Sequence, residues 1–297
     1  MMRKSWLPAY IALGLIWGCS FIFIELGLEF LTPFGVAFIR CALGAITLLI
    51  VVKLRKISLP KEKSTWRKLW IVALLLNVVP GILFAFAQQY VTSVLAGIIN
   101  ATTPLMTMVF MLLLFREQKL KREQIIGLFI GAFGVMVVLG IWKGIGDNQL
   151  LGVAALLLAV SCYGYSFPYM TRNILPLGLK PEAAATVQLI LAAITLLPLY
   201  LFDGIAEDNY QLNSLLAMLA LGVLGSGFAY IWNFSIIAAA GGSIASTVTY
   251  VTPVVAVFVG WLFLGEQITW HEPVGAVFVI LGAAITQGRF NSKVVSK

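Results

Sequence analysis

Two ionisable side chains, Glu25 and Arg40, stand inside long apolar stretches of the sequence, where a charge is costly. A buried guanidinium can bind the carboxylate of a small molecule, and a buried carboxylate can take up and release a proton. Arg40 is therefore a candidate substrate-binding residue and Glu25 a candidate coupling residue. If both stretches are helical, the two side chains differ in depth by ~6 Å, so a structural ion pair is the alternative.

Polar residues recur at helical spacing in two other apolar stretches. Asn100 and Thr103 are three residues apart and would share one face of a helix, and Thr249 and Thr252 repeat this spacing. Polar groups in hydrocarbon usually face a cavity or a neighbouring helix, so these four are candidate substrate-binding residues. The alternative is that the threonine hydroxyls bond only to carbonyls of their own helices.

A proline follows the second threonine of each pair, as Pro104 and Pro253. Proline removes a backbone donor and leaves a carbonyl without its helical partner, a feature of hinges and ligand sites. These prolines are predicted hinges. The alternative is that they only bend packed helices.

Amphipathic side chains elsewhere complete the candidate site. Such residues suit a pocket that holds the polar and apolar parts of one small molecule. The candidates are Trp17, Ser20, Gln88, Tyr163, Ser166, Tyr230 and Asn233. Gln88 stands near a predicted helix end, where anchoring at the membrane interface is the alternative.

The sequence has no group typical of an enzyme or a metal site. It contains no nucleophile motif, no paired carboxylates and no phosphate-binding loop, and His271 has no Cys or His at ligand spacing. We therefore expect a protein that is not an enzyme and has no cofactor or metal. The net charge of +8 does not indicate nucleic-acid binding, because the basic residues fall between apolar runs.

Membrane-spanning helices must position these residues. Hydrophobic residues make up 61% of the chain and charged residues 11%, which is too little polar surface for a soluble globule. Runs of about 20 apolar residues, enough to cross ~30 Å of hydrocarbon, predict helices because lipid cannot satisfy open backbone groups. The runs are Leu7 to Leu28, Pro33 to Val52, Leu69 to Gln89, Ser93 to Phe115, Gln124 to Trp142, Leu150 to Met170, Ala183 to Phe202, Leu212 to Ile237, Ser243 to Leu264 and Pro273 to Gln287. The predicted fold is an all-α membrane protein with ten transmembrane helices.

Lysine and arginine are distributed unequally between the links that join these runs. If the amino terminus is cytoplasmic, Lys143 is the only basic residue in an outer loop. Cytoplasmic loops carry the excess of positive charge in membrane proteins. The sequence therefore predicts that both termini are cytoplasmic.

The second half of the chain repeats the first at an offset of about 149 residues. The matching motifs are Thr103-Pro104 with Thr252-Pro253, Glu117-Gln118 with Glu266-Gln267, and Trp17-Gly18-Cys19-Ser20-Phe21 with Tyr163-Gly164-Tyr165-Ser166-Phe167. Each half holds five runs, an odd number, so the second half must enter the membrane in the opposite orientation. The predicted domains are residues 1–145 and 146–297, two inverted five-helix repeats of the kind found in alternating-access transporters.

These motifs resemble the EamA repeat of the drug/metabolite transporter superfamily. The residues that carry the resemblance are Trp17 to Phe21, Arg40, Ala96, Thr103-Pro104, Glu117-Gln118, Gly127, Gly131 and Gly134, and in the second copy Ala245, Thr252-Pro253, Gly265-Glu266-Gln267, Gly275 and Gly282. The resemblance implies a carrier of small metabolites, commonly an exporter of amino acids or related compounds, with a central cavity between two five-helix halves. The second copy departs from this pattern, because Gln188 stands where an arginine like Arg40 would be sought.

We therefore expect a secondary active transporter, in a bacterial plasma membrane, that exports a small polar or amphipathic metabolite by alternating access. Uptake of a metabolite is one alternative and a channel is another, although a channel would need a filter or a ring of charge that the sequence lacks. The expected partners are the lipid bilayer and a small-molecule substrate, without nucleic acid. The sequence leaves the substrate, the coupling ion and the oligomeric state open.

Overall fold

The computed structural model describes residues 6–113, 122–140, 142, 147–206, 210–265 and 267–286. Predictions that concern Glu117, Gln118, Lys143 and Glu266 lie outside these residues. The two chain termini and the predicted boundary at residues 145 and 146 also lie outside them.

The described chain is helical apart from its loops and one isolated bridge between Leu31 and Ile205. We number the helices in chain order and count a helix with an irregular turn as one. They are α1 (Leu7–Gly27), α2 (Pro33–Leu54), α3 (Lys63–Gln88), α4 (Ser93–Leu113), α5 (Arg122–Val138), α6 (Asp147–Asn173), α7 (Pro181–Asp203), α8 (Leu212–Ala240), α9 (Gly242–Leu264) and α10 (His271–Thr286). Thr32 and Thr92 cap the starts of α2 and α4, each accepting a hydrogen bond from the amide three residues ahead.

Eight of these helices are long and apolar enough to cross a membrane. The apolar parts of α5 and α10, Ile125–Val138 and His271–Gly282, are shorter. At ~1.5 Å per residue each covers less than the ~30 Å of a hydrocarbon core. The described residues therefore support eight of the ten predicted spans by length, and α5 and α10 coincide with the other two predicted runs.

Large apolar side chains cover the outside of the helical bundle. Leu54, Leu201, Phe202 and Phe263 are among those exposed, and Phe202 is 89% exposed. A soluble protein rarely exposes contiguous apolar surface, whereas a lipid-facing surface is apolar. The chain is an integral membrane protein.

We call the end of the bundle that carries Leu7 the proximal end and the end that carries Gly27 the distal end. Helices α2 and α7 are antiparallel along their length. Arg55 at the end of α2 forms an ion pair with Glu182 near the start of α7, and Thr32 donates to the carbonyl of Asp203 at the end of α7. These contacts join the predicted first and second halves at both ends of the bundle.

Helix α9 packs closely against α1 and α4. A Cβ atom on Gly18 of α1 would lie 2.4 Å from Cβ of Val255, and one on Gly97 of α4 would lie 2.5 Å from Cβ of Ala256. Only glycine allows these approaches. Gly14 meets Val251 as Gly18 meets Val255, so α9 runs parallel to α1. Asn100 meets Thr252 whereas Gly97 meets Ala256, so α9 runs antiparallel to α4.

Helices α4 and α9 are each interrupted by an irregular turn before their Thr-Pro step. A turn at Ala101 and Thr102 breaks α4, and a 3₁₀ turn from Thr247 to Tyr250 breaks α9. The sequence predicted two unbroken apolar runs there. Because proline has no N–H, Pro104 and Pro253 each leave the carbonyl four residues earlier, that of Asn100 or Thr249, without its helical donor.

The preceding threonine satisfies that carbonyl in both helices. Thr103 Oγ1 donates to the carbonyl of Asn100 at 2.7 Å, and Thr252 Oγ1 donates to the carbonyl of Thr249 at 2.8 Å. Each threonine therefore satisfies, within its own helix, the carbonyl that the following proline leaves without a donor.

Helices α3 and α8 each contain a π turn near mid-helix, at Leu74–Val78 and Leu221–Phe228. In α3 the amide of Val79 donates to the carbonyl of Leu74, and in α8 the amide of Ala229 donates to the carbonyl of Leu224. Each bond spans five residues, and the second lies 150 residues after the first. A π turn occupies equivalent positions in the two halves, and such turns often mark functional sites.

Candidate functional site

A cavity lies at the centre of the bundle, between helices of both predicted halves. Helices α1, α2, α3, α4, α6, α8 and α9 contribute to its wall. The lining residues are Trp17, Ser20, Phe21, Ile24, Arg40, Leu76, Phe84, Asn100, Tyr163, Phe167, Tyr230 and Thr249. Its empty volume of about 530 Å³ includes space open to solvent, and the space that a water-sized molecule can reach is only about 50 Å³, so a substrate needs a more open conformation than this one.

Arg40 is the charged residue in this lining and is only 7% exposed. Its Nε donates to Ser226 Oγ on α8 at 3.1 Å. No carboxylate of the described residues forms an ion pair with its guanidinium; the ion pair found among them joins Arg55 and Glu182. A desolvated cation that lacks a protein carboxylate partner favours binding of an anionic group in the cavity.

Trp17 and Tyr230 form one aromatic wall of the cavity. The two rings pack in a T-shaped arrangement, with centroids 6.0 Å apart and an interplanar angle of 65°. Trp17 Nε1 donates to the carbonyl of Gly225 at 3.2 Å, and the Tyr230 hydroxyl donates to the carbonyl of Leu76 at 2.9 Å. Both carbonyls belong to the π turns, so the π turns of α3 and α8 fix the orientation of this wall.

A second aromatic group completes the apolar lining. Phe84 of α3 stacks on Tyr163 of α6 at 5.6 Å and lies 5.8 Å from the ring of Phe21. Within the described part of the chain the Tyr163 hydroxyl makes no hydrogen bond, so it can serve a ligand. The cavity therefore combines a cation, a phenol and several rings.

Asn100 and Thr249 bring the irregular turns of α4 and α9 to the cavity. Asn100 Nδ2 donates to Thr252 Oγ1 at 3.3 Å, while the Thr249 hydroxyl donates to the carbonyl of Ser246 at 2.8 Å. Both residues line the cavity and are nearly buried. Their oxygen atoms keep accepting capacity for a ligand.

Comparison with known proteins places the chain among transporters. The model of the EamA-like transporter family matches residues 4–140 and again residues 150–287. The chain belongs to the EamA-like transporter family. This family is part of the drug/metabolite transporter superfamily, as the sequence motifs predicted, and the two matches give the chain two EamA repeats. The prediction that the chain is not an enzyme is confirmed by this membership.

Curated bacterial relatives cover nearly the whole EamA chain. The uncharacterized inner membrane transporter YedA of Escherichia coli (strain K12) is 29% identical over 95% of this chain and 90% of its own length. The uncharacterized transporter YoaV of Bacillus subtilis (strain 168) is 24% identical over 96% and 97%. One solved crystal structure superposes with a TM-score of 0.71 over 99% of this chain and 100% of its own, at 19% identity, which supports the fold alone.

Five predicted site residues of this EamA transporter lie outside the lining of the central cavity. They are Gln88, Thr103, Ser166, Asn233 and Thr252. The hydroxyls of Thr103, Thr252 and Ser166 donate to carbonyls of their own helices, which was the alternative stated for threonine. Asn233 is fully buried, and its side-chain atoms have no hydrogen-bond partner among the described residues.

Glu25 and Arg40 face different spaces. Glu25 lines a groove at the distal end together with Gln88, Gln149 and Glu272, whereas Arg40 lines the central cavity. Gln88 Nε2 lies 2.8 Å from Ser93 Oγ, 2.9 Å from the carbonyl oxygen of Phe21 and 3.3 Å from Glu25 Oε2, and its two hydrogens can be donated to two of these acceptors at a time. Gln88 therefore ties α3 to α1 and α4 at the distal end, and the Glu25–Arg40 ion pair considered from the sequence is not formed.

Sequence reasoning missed the apolar lining residues and Ser226. The missed lining residues are Phe21, Ile24, Leu76, Phe84 and Phe167. An apolar side chain suits lipid, helix packing and a cavity equally, so its type carries no signal. Ser226 had a signal, because it lies 149 residues after Asn77, another polar residue in an apolar run.

Proposed function

We propose that this EamA-like protein is a secondary active transporter for a small amphipathic metabolite that carries a carboxylate, such as an amino acid or a related compound. The observation that carries the proposal is Arg40, a buried cation in the central cavity without a carboxylate partner among the described residues. With Nε bound to Ser226, the two Nη groups remain to donate to the two oxygens of a carboxylate.

The rest of the lining offers contacts to the remainder of such a substrate. The rings of Trp17, Phe84 and Tyr163 offer apolar and cation–π contact to a side chain or an ammonium group. Asn100 and Thr249 offer oxygen acceptors to an ammonium group. The substrate we propose is thus held at its carboxylate by Arg40 and at its apolar part by the rings.

We further propose that transport follows alternating access between two inverted halves with ten membrane-spanning helices. The opposite directions of α4 and α9, which are repeat equivalents, support the inversion. Their broken turns beside the cavity support Pro104 and Pro253 as hinges, because an interrupted helix can bend without losing further backbone bonds. The boundary that the sequence predicts, between residues 145 and 146, lies between the two family matches, of which the first ends at residue 140 and the second begins at residue 150.

We assign the proximal end to the cytoplasm, with both termini, and the distal end to the outside. The clustered Lys and Arg between α2 and α3 support this orientation. Outward transport is part of the proposal, on the grounds of the resemblance to EamA exporters. Counterflow does not distinguish export from uptake, so the direction is tested separately, by the rate at which labelled L-phenylalanine leaves preloaded cells that make the protein.

Transport in proteoliposomes tests this function. Purified protein is reconstituted into vesicles that are loaded with unlabelled L-phenylalanine. Counterflow of labelled L-phenylalanine is then measured, with L-phenylalaninamide and other amino acids as competitors. We expect saturable counterflow, competition by amino acids, and little competition by the amide, which has the ring and the ammonium group but no carboxylate. The Arg40→Gln variant should lose this discrimination. Equal competition by acid and amide would reject a carboxylate site, and a flux that does not saturate would favour a channel.

A further inference from the structure

Two side-chain hydrogen bonds join the halves in the same way. Arg40 of α2 donates to Ser226 in the π turn of α8, and Gln188 of α7 donates to Asn77 in the π turn of α3, with 2.5 Å from Nε2 to Oδ1. Gln188 lies 148 residues after Arg40, and Ser226 lies 149 residues after Asn77, which is the offset of the sequence repeat. The two contacts are equivalents, one charged and one neutral.

The carbonyl before each acceptor side chain holds one ring of the cavity. Gly225, which precedes Ser226, accepts Trp17 Nε1, and Leu76, which precedes Asn77, accepts the Tyr230 hydroxyl. A π turn shifts the backbone hydrogen-bond register, so a carbonyl within it is open to a side-chain donor. Each of these two hydrogen bonds between the halves thus lies next to a carbonyl that holds one ring of the cavity wall, either Trp17 or Tyr230.

Gln188 and Asn77 are almost completely buried and do not line the cavity. Their contact leaves Gln188 Oε1 without a hydrogen-bond partner among the described residues. A buried polar pair that is only partly satisfied adds little stability compared with an apolar pair of the same size. Its value therefore lies in geometry: it fixes the π turn of α3 against α7.

We propose that Asn77 and Gln188 are positioning residues of the central site, which hold Tyr230 through the Leu76 carbonyl as Ser226 and Arg40 hold the Trp17 side. The role of this pair does not depend on the proposed substrate class, because the pair sets the shape of the aromatic wall whatever molecule binds there. The second copy of this contact is neutral and buried, so among the described lining residues the cation for a carboxylate is Arg40. The difference between arginine in one copy and glutamine in the other therefore places the positive charge on one side of the site.

A reporter cysteine at the cavity tests the proposal without a substrate. Thr249→Cys is introduced into a chain in which Cys19, Cys41 and Cys162 are alanine, and its rate of modification by a small methanethiosulfonate reagent is measured. Asn77→Leu with Gln188→Leu should raise that rate at least ~5-fold, because Tyr230 loses its fixed anchor. In a Tyr230→Phe background, which lacks the anchored hydroxyl, the same pair of changes should have little further effect.

Trp70→Phe is the matched control. It removes the bond from Trp70 Nε1 to Thr195 Oγ1, a contact between the same two helices, α3 and α7, outside the π turn. We expect it to leave the rate unchanged, whereas the exchanged pair Asn77→Gln with Gln188→Asn should restore the parent rate. If the double leucine variant does not fold, Asn77→Ser takes its place in the test. Serine is shorter than asparagine, so its oxygen lies farther from Gln188, and the rate of cysteine modification should rise.

An unchanged rate in a folded Asn77/Gln188 variant, or an equal rise in the Tyr230→Phe background, would overturn the positioning role. Modification of the cysteine needs no transported compound. Failure of carboxylate transport therefore leaves this result standing, and failure of the labelling prediction leaves the proposed substrate class untouched. The two proposals can be lost separately.

Discussion

Asn100 of α4 and Thr252 of α9 are joined by a side-chain hydrogen bond of 3.3 Å, at the place where the broken turns of the two helices meet. Thr252 in turn donates to the carbonyl of Thr249, which lines the cavity. The two interruptions are therefore connected across the predicted halves. A ligand at Asn100 or Thr249 would act directly on both.

Substitution of Asn100 and Thr249 should affect transport more than folding. We expect Asn100→Ala and Thr249→Ala to lower transport ~10-fold through loss of hydrogen bonds to the substrate, while membrane expression stays near that of the parent. Counterflow normalised to the amount of protein is the measurement. Thr107→Val, which removes a buried hydroxyl on α4 outside the cavity, is the control. Normal transport by both alanine variants would remove these residues from the site.

The Thr-Pro step makes a prediction of rescue. Thr103→Val should destabilise the protein by ~1 to 3 kcal/mol, because the carbonyl of Asn100 loses the hydroxyl that satisfies it. Adding Pro104→Ala should recover part of this loss, since alanine supplies an N–H to the same carbonyl. Thermal unfolding in detergent measures both effects.

The transport rate of the Thr103/Pro104 variants separates a hinge from a structural bend. If Pro104 is a hinge, Pro104→Ala should slow counterflow without weakening substrate binding, because a continuous helix resists bending. Pro253→Ala in α9 is the matched variant in the other half. Unaltered rates in both would leave the prolines a purely structural role.

The sequence was sufficient for the helices but not for their irregular turns. Long apolar runs predicted the start of α2 at Pro33 and of α4 at Ser93, where threonine caps precede them. The break at Ala101 and Thr102 and the π turns could not be predicted, because the hydrophobic runs continue on both sides of them and tertiary packing decides the backbone conformation.

The candidate site could be predicted where a polar residue is costly in lipid. Arg40, Asn100 and Tyr230 belong to this class, and the structure brings them together. Thr103 has a polar group of the same kind, but its own backbone satisfies it. Phe84 and Phe167 gave no signal because a phenylalanine is equally at home facing lipid.

Cysteine accessibility in intact cells tests the orientation. A cysteine at position 61, in the basic loop between α2 and α3, should be protected from an impermeant maleimide, and one at position 143 should be labelled. Permeabilised cells, in which position 61 becomes accessible, are the control. Strong external labelling at position 61 would overturn the topology and the inverted arrangement with it.

Glu25 and Arg40 should behave as independent residues, because they line different spaces. The effects of Glu25→Gln and Arg40→Gln on the free energy of unfolding should add within ~0.5 kcal/mol in the double variant. A buried ion pair would behave differently: each single change would strand a charge and cost ~3 to 5 kcal/mol, and the double change would restore much of the loss. Thermal unfolding of the three variants distinguishes the two cases.

Transport by the same variants tests Glu25 for coupling. Glu25 is half-buried and faces the distal groove, where it can exchange protons with the solution. If it carries a coupling proton, Glu25→Gln should fold normally and retain exchange driven by the substrate gradient, yet lose the response of flux to a pH gradient. Arg40→Gln should instead lose recognition of the carboxylate at every pH gradient. A Glu25→Gln protein whose flux still follows the pH gradient would exclude Glu25 from coupling and leave it as the distal contact of Gln88.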